Sequence, residues 1–186
     1  MSFTLHAAAQ PMFLRGLDTL SHLIDRAAAS GLPEAEVLDA RLAPDMRPFP
    51  DQIRMASFSA RGAMARLAGA DWPKTADDEA SLADLKATVA LSRDFVTSIS
   101  PDAFEGAETR PVQLKFPGIE LNFEGGEARR VELRFPGVEL DFLGQGYLTS
   151  FAIPNFYFHV TTAYAILRHK GVELGKRDFL GQLALV

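Results

Sequence analysis

Asn155-Phe-Tyr-Phe-His159-Val-Thr-Thr-Ala-Tyr164-Ala-Ile-Leu-Arg168-His169-Lys-Gly171 reads as one aromatic-rich helix closed by a glycine. Phe156, Val160, Ala163 and Leu167 recur at steps of three or four residues and form an apolar stripe. Asn155 and His159 stand four residues apart beside that stripe, so they stack on one helix face. Tyr157, Phe158 and Tyr164 make the helix aromatic on further sides, as in a buried helix or the wall of a pocket between helices.

Working outward, the spacing predicts three more long helices. The first runs from about Leu5 to Ala29, with Phe13, Leu17, Leu20, Ile24 and Ala27 as its stripe, and Gly31 ends it. Pro33 opens a short helix over 34–40, and a connector with three prolines follows over 42–50. The second long helix covers Asp51 to Ala68, with Ile53, Ala56, Ala60, Met64 and Leu67 inward and Gly69 as its stop. Residues 70–80 are polar and loop-like. Ser81 caps the third helix, which continues to Ser98 with Leu82, Leu85, Val89 and Phe95 inward. The fourth, the stretch quoted first, begins near Ser150, with Pro154 in its first turn. Four amphipathic helices with modest connections predict a mainly α four-helix bundle.

Composition bounds the rest. A chain of 186 residues, 47% hydrophobic, suits one domain over 1–186 with a sizeable core. The net charge of −5, with acids and bases interleaved, speaks against nucleic-acid binding. No cysteine is present, which excludes disulfides, thiolate catalysis and cysteine-held zinc. The N-terminus lacks a basic segment followed by an unbroken apolar run, and no apolar run approaches the ~20 residues that span a bilayer. A cytoplasmic protein without a membrane partner is expected. There is no phosphate loop, nucleophile elbow or dinucleotide fingerprint.

Between the third and fourth helices, residues 110–143 contain a repeat. Arg110-Pro-Val-Gln-Leu-Lys-Phe-Pro-Gly-Ile-Glu-Leu-Asn-Phe123 recurs as Arg129-Arg-Val-Glu-Leu-Arg-Phe-Pro-Gly-Val-Glu-Leu-Asp-Phe142, offset by 19 residues. Each copy alternates apolar and polar around Pro-Gly, the period of a strand. If Pro117-Gly118 is a two-residue loop, Phe116 faces Ile119, Leu114 faces Leu121 and Val112 faces Phe123. Lys115 then faces Glu120, and in the second copy Arg134 faces Glu139. Against this, Pro-Gly favours a type II turn, whose twist suits a hairpin poorly. The alternative is one bent strand per copy with the reversal at Glu124-Gly-Gly-Glu127. Either ribbon has an apolar face that needs cover from the bundle or a second subunit.

Ala40-Arg-Leu-Ala-Pro-Asp-Met46, Ala65-Arg-Leu-Ala-Gly69, the Asn155–Arg168 stretch and Gly175-Lys-Arg-Asp-Phe179 together span almost the whole chain. With them the sequence resembles the domain-of-unknown-function family nineteen-ninety-three, a branch of the DinB/YfiT-like superfamily. The resemblance implies a four-helix bundle with a β-hairpin, here a repeated ribbon, between helices three and four. It often implies a homodimer, and no established activity. The wider superfamily includes metal-dependent enzymes, some acting with low-molecular-weight thiols. Their site takes one histidine from helix two and a His-x-x-x-His pair from helix four. By that match His159 takes the second position of the pair and Asn155 the first, while residues 51–68 hold no histidine.

The candidate pocket residues are therefore Asn155, His159, Tyr164 and Gln52, with Asp45 a further neighbour. The plainest reading of His159 is a buried histidine bonded to Asn155, Tyr164 or Thr162. A ligand or acid–base role comes second, and a divalent transition metal third. No cofactor is expected. His169 lies ten residues from His159, about 15 Å along the axis, and suits the helix C-terminus instead. His22, between Asp18 and Asp25, belongs to a solvated charge cluster with Arg15 and Arg26. His6 has no partner at metal spacing. The expected function is that of an uncharacterised DinB-like protein, homodimeric, binding a small ligand. The alternative is a divergent metal-dependent hydrolase or thiol-dependent transferase.

Overall fold

A computed structural model describes residues 4–116, 120–125, 129–134 and 137–182. Helix α1 spans Leu5–Ala28, and the Thr4 hydroxyl caps it by accepting from the Ala7 amide at 3.1 Å. Helix α2 is short, Glu34–Leu38; α3 runs Phe49–Ala68 and ends on Gly69 in the left-handed region, at φ 67°. Helix α4, Leu82–Ser98, has Ser81 as N-cap, accepting from the Asp84 amide. Helix α5, Gly144–Tyr147, leads through a π-helical turn, Leu148–Ala152, into α6, Ile153–His169, and α7 covers Lys176–Leu180.

Helical backbone thus begins at Gly144 rather than near Ser150. The widened turn has a local cause. Ile153 N–H reaches back five residues to Leu148 O, and Pro154, next in line, has no N–H to restore the usual pattern.

The four long helices form a closed ring in which α1 and α3 each pack on both α4 and α6. The predicted stripes of α1, α3 and α6 are buried inside it. On α4 the inward residues are Leu82, Leu85, Val89 and Val96, while Phe95 is only partly buried. Leu82, Leu85, Val89, Ser92 and Val96 keep steps of three and four, and Phe95 lies ~100° around the helix from Val96, at the edge of that stripe. Phe13 of α1 and Phe156 of α6 meet edge-to-face, 5.1 Å between ring centres, and tie the two helices across the core.

Three arginines of α3 fasten the connector to α4. Arg54 Nε donates to Glu79 Oε2, and its Nη2 to Glu79 O, each at 2.6 Å. The fully buried Arg61 donates to the hydroxyls of Ser92 and Thr75. The Arg66 guanidinium lies over the Trp72 ring, 4.9 Å from its centre.

The ribbon resolves the two sequence alternatives. Strands β1 (Pro111–Phe116) and β4 (Val138–Leu143) pair antiparallel, and β2 (Glu120–Gly125) pairs antiparallel with β3 (Arg129–Arg134). Each strand pairs with the other copy, so the within-copy register is overturned: Val112 stands opposite Phe142, Leu114 opposite Leu140, and Leu121 opposite Leu133. The reversal falls after Gly125, as the bent-strand alternative has it. The predicted Phe116–Ile119 pair falls on Ile119, outside the described residues, as do both Pro-Gly turns in whole or part.

The register still sets Lys115 opposite Glu139 and Glu120 opposite Arg134. Pairing within the copies keeps pairs of this kind but sets Glu132 opposite Asp141, like charge against like. The observed register sets Gln113 opposite Asp141 and Asn122 opposite Glu132, and adds Glu124 opposite Arg130, so the charge pattern favours it. Turn preference agrees: an L-proline turn matches the strand twist poorly, whereas a glycine-containing reversal accepts it. The β1–β4 half lies on the bundle, with Val112 and Leu114 buried and Phe142 against Tyr147 at 5.9 Å between ring centres.

Candidate functional site

Where α3 and α6 diverge, a cleft of about 440 Å³ opens. Ser59, Asn155 and His159 line one part of it. Met55, Phe58, Phe151 and Ala152 supply apolar walls, Arg66, Tyr147 and Asp77 lie at its edges, and Gln113 and Leu114 of β1 close it. The ribbon is therefore a wall of the site.

His159 is buried, 5% exposed, and its Nδ1 is 2.8 Å from Gln52 Oε1. Gln52 Nε2 donates to the Arg47 carbonyl at 3.0 Å. That bond fixes the amide orientation, so Gln52 Oε1 accepts and Nδ1 of His159 carries the proton. The neutral ring then keeps a lone pair on Nε2, which has no hydrogen-bond partner among the described residues and belongs to a side chain lining the cleft. Burial, and then the charge of Arg47, hold the imidazole below its ordinary pKa, so the neutral form is favoured at pH 7. Asn155 Nδ2 donates to Ser59 Oγ at 2.8 Å.

The structure brings Gln52 to His159, but sets Asn155 against Ser59 and not against the histidine. Tyr164 is elsewhere, packed edge-to-face on Phe179 of α7 with ring centres 5.7 Å apart. Asp45 is exposed and away from the cleft. His159 does not bond Asn155, Tyr164 or Thr162; the Thr162 hydroxyl donates to Phe158 O instead.

His6 and His22 serve the scaffold. His6 Nε2 lies 3.0 Å from the Ile99 carbonyl. His22 Nε2 lies 2.7 Å from Asp178 Oδ1, while Asp18 pairs with Arg93 and Asp25 with Lys86. A wider, more open groove of about 850 Å³ runs between α1 and α7 and contains that His22–Asp178 pair. Its polar groups are spent on holding α7: Arg15 donates to Leu180 O and Thr19 to Phe179 O. The cleft is the better candidate because the His159 Nε2 keeps a lone pair with no partner among the described residues.

Ser59, Arg66, Phe58, Tyr147 and the ribbon residues were not picked out from sequence. The signal on α3 was present: Met55, Phe58, Ser59, Gly62 and Arg66 form a second row beside the core stripe. The contribution of β1 had no local signal, since it depends on where the ribbon lies.

A metal fits these residues poorly. The imidazole is one donor and the Asn155 amide oxygen only a weak, neutral second, while the Gln52 oxygen is committed to the histidine's N–H. Asp77 accepts from Thr75. Among the described residues, no group of three His, Cys, Asp or Glu side chains is placed to hold an ion. Nor, among them, is any helix long and apolar enough to cross a membrane.

A family model described as domain of unknown function (DUF1993) matches residues 5–128 and 122–180. The two matched segments overlap within the ribbon, where the sequence repeats itself. The crystal structure of a DinB family member protein from Shewanella denitrificans superposes with a TM-score of 0.76 at 30% identity, covering 98% of this chain and 94% of that one. No curated protein matches the chain.

Proposed function

The chain belongs to the DUF1993 family and has a DinB-like fold, and from that premise we propose that it is a binding protein that receives a small molecule in the α3–α6 cleft without a resident metal. One observation carries this reading: His159 is held neutral by its setting and fixed in one tautomer by Gln52, with its Nε2 lone pair left for the cleft. Such an atom accepts a hydrogen bond from a ligand hydroxyl or amide. Beside it are aromatic walls and the Asn155–Ser59 pair, the mix of apolar surface and a few convergent polar groups typical of ligand sites. The chain acts as a homodimer in this reading, with Phe158, 57% exposed on α6, and Phe58, 49% exposed on α3, in the contact.

The second reading is a metal-dependent enzyme with an altered ligand set. It is favoured by the histidine's geometry, because a ring N–H bonded to a fixed acceptor is also how ligating histidines are oriented. Metal analysis of protein purified without an affinity tag separates the two. Sub-stoichiometric metal, unchanged by His159→Ala, is expected. A stoichiometric transition metal lost in that variant replaces the first reading with the second.

A further inference from the structure

Resting on the cleft as a ligand site, we propose that its ligand is a small amphipathic monocarboxylate: Arg66 takes the carboxylate, and the apolar body lies along Phe58, Phe151 and Leu114. The charges around the cleft single out Arg66. Arg54 is matched by Asp51 and Glu79, at 2.9 and 2.6 Å. Asp77, the acid on the lining, sits in the field of the buried Arg61, which has no ion pair of its own among the described residues. Arg66 donates to the neutral Tyr147 hydroxyl at 3.3 Å and has no carboxylate partner among the described residues.

Its placement is also built. Trp72 covers one face of the guanidinium, and Tyr147 engages Nη1. Gly62, one turn earlier on α3, leaves the space that the side chain folds back into; a Cβ there would collide with the guanidinium. Stacking on Trp72 consumes the face of the group and leaves N–H bonds at its edge, the geometry that receives a planar carboxylate in two parallel hydrogen bonds. A single uncompensated charge suits a monoanion. The walls beside it are aromatic and aliphatic, so the remainder of the molecule is apolar. Gln52 and Gly62, which mark the histidine and arginine ends, are ten residues apart on α3, about 15 Å at the helical rise. The body therefore has room for a phenylalkyl or medium alkyl chain.

The probes are 4-phenylbutanoate, its uncharged primary amide and the matching amine, 4-phenylbutylamine. Trp72 is the only tryptophan, so its indole N–H gives one nuclear magnetic resonance signal beside Arg66, and His159 Nε2 reports the other end. The acid is expected to shift the indole signal saturably and to bind at least about tenfold more tightly than the amide, the factor that one charge-assisted contact supplies. Arg66→Gln is expected to bring acid and amide within about threefold of each other. Arg66→Lys, which keeps the charge but not the fork, is expected to recover part of the preference.

Equal binding of acid and amide in the wild type, or tighter binding of the amine, overturns the carboxylate assignment and leaves the cleft as a ligand site. Failure of all three probes to move either the indole or the His159 signal at millimolar concentration overturns the assignment and counts against the cleft reading as well. A preference for the acid that survives Arg66→Gln in a folded variant also overturns the role given to Arg66.

Discussion

His159 shows how one neighbour sets a side chain's chemistry. The Gln52 amide is committed at both ends, to the Arg47 carbonyl and to the histidine N–H, so it imposes a tautomer. The folded-state pKa lies below the ordinary value near 6.5, so the unfolded chain binds the proton first as pH falls. The contribution of this residue to stability is therefore complete above about pH 6.5 and shrinks as pH drops below it toward the folded value. Urea unfolding at stepped pH is expected to show that loss in the wild type and not in His159→Phe. Gln52→Leu removes the acceptor and leaves a buried N–H unpaired, at a cost of about 1–3 kcal/mol. Gln52→Glu puts a carboxylate there and is expected to raise the histidine pKa, read from its ring-proton shifts.

Among the elements, the α3–α4 connector and the ribbon make opposite demands on sequence reading. The connector is anchored by specific charges. Glu79 has a side chain only 6% exposed and is neutralised by Arg54 and the Thr88 hydroxyl. Arg54→Ala strands that carboxylate in a buried site and is expected to cost about 3–5 kcal/mol, whereas the double variant Arg54→Ala/Glu79→Ala recovers much of it. Denaturant midpoints of the two variants give the comparison. In the ribbon, the observed register places Gln113 opposite Asp141, and the two side chains hydrogen-bond at 2.9 Å. Cysteines at 113 and 141 are the only thiols in a chain that otherwise has none, and are expected to close a disulfide on mild oxidation. The within-copy register sets Gln113 opposite Asn122, so a 113/122 cysteine pair that closes instead would contradict the observed topology.

In the whole molecule, the exposed apolar surface is what a partner would cover. Val112, Leu114 and Phe142 of the ribbon are covered by the bundle. What remains exposed among the described residues includes Phe58, Phe158 and Leu143, the first two flanking the cleft. A homodimer through this rim predicts a mass twice the 20.3 kDa of one chain by light scattering at micromolar concentration. Phe158→Asp is expected to return it to the single-chain mass without unfolding, because that side chain touches little of its own core. A wild-type protein that already scatters as one chain removes the dimer from the proposal.

The four helices, their caps at Ser81 and Gly69, the repeat and the family were legible in the residue order. Each rests on contacts within a few positions, where helical periodicity and capping chemistry act directly. The i, i+4 relation of Asn155 and His159 was local too. Of their partners, Gln52 was among the sequence candidates although it lies 107 positions from His159, whereas Ser59, 96 positions from Asn155, was not. Tyr164 sits on the same helix as both, yet its angular position turns it toward Phe179 and away from the cleft. The ribbon makes the point most sharply. Two near-identical copies offer the same apolar pairs in either topology, so only the few positions where the copies differ, Gln113 and Asn122 against Glu132 and Asp141, and Glu124 with Arg130, tell the two apart. Where the ribbon lies, with β1 and β4 side by side on the bundle flank, is decided only in the tertiary structure, and with it the wall that completes the cleft.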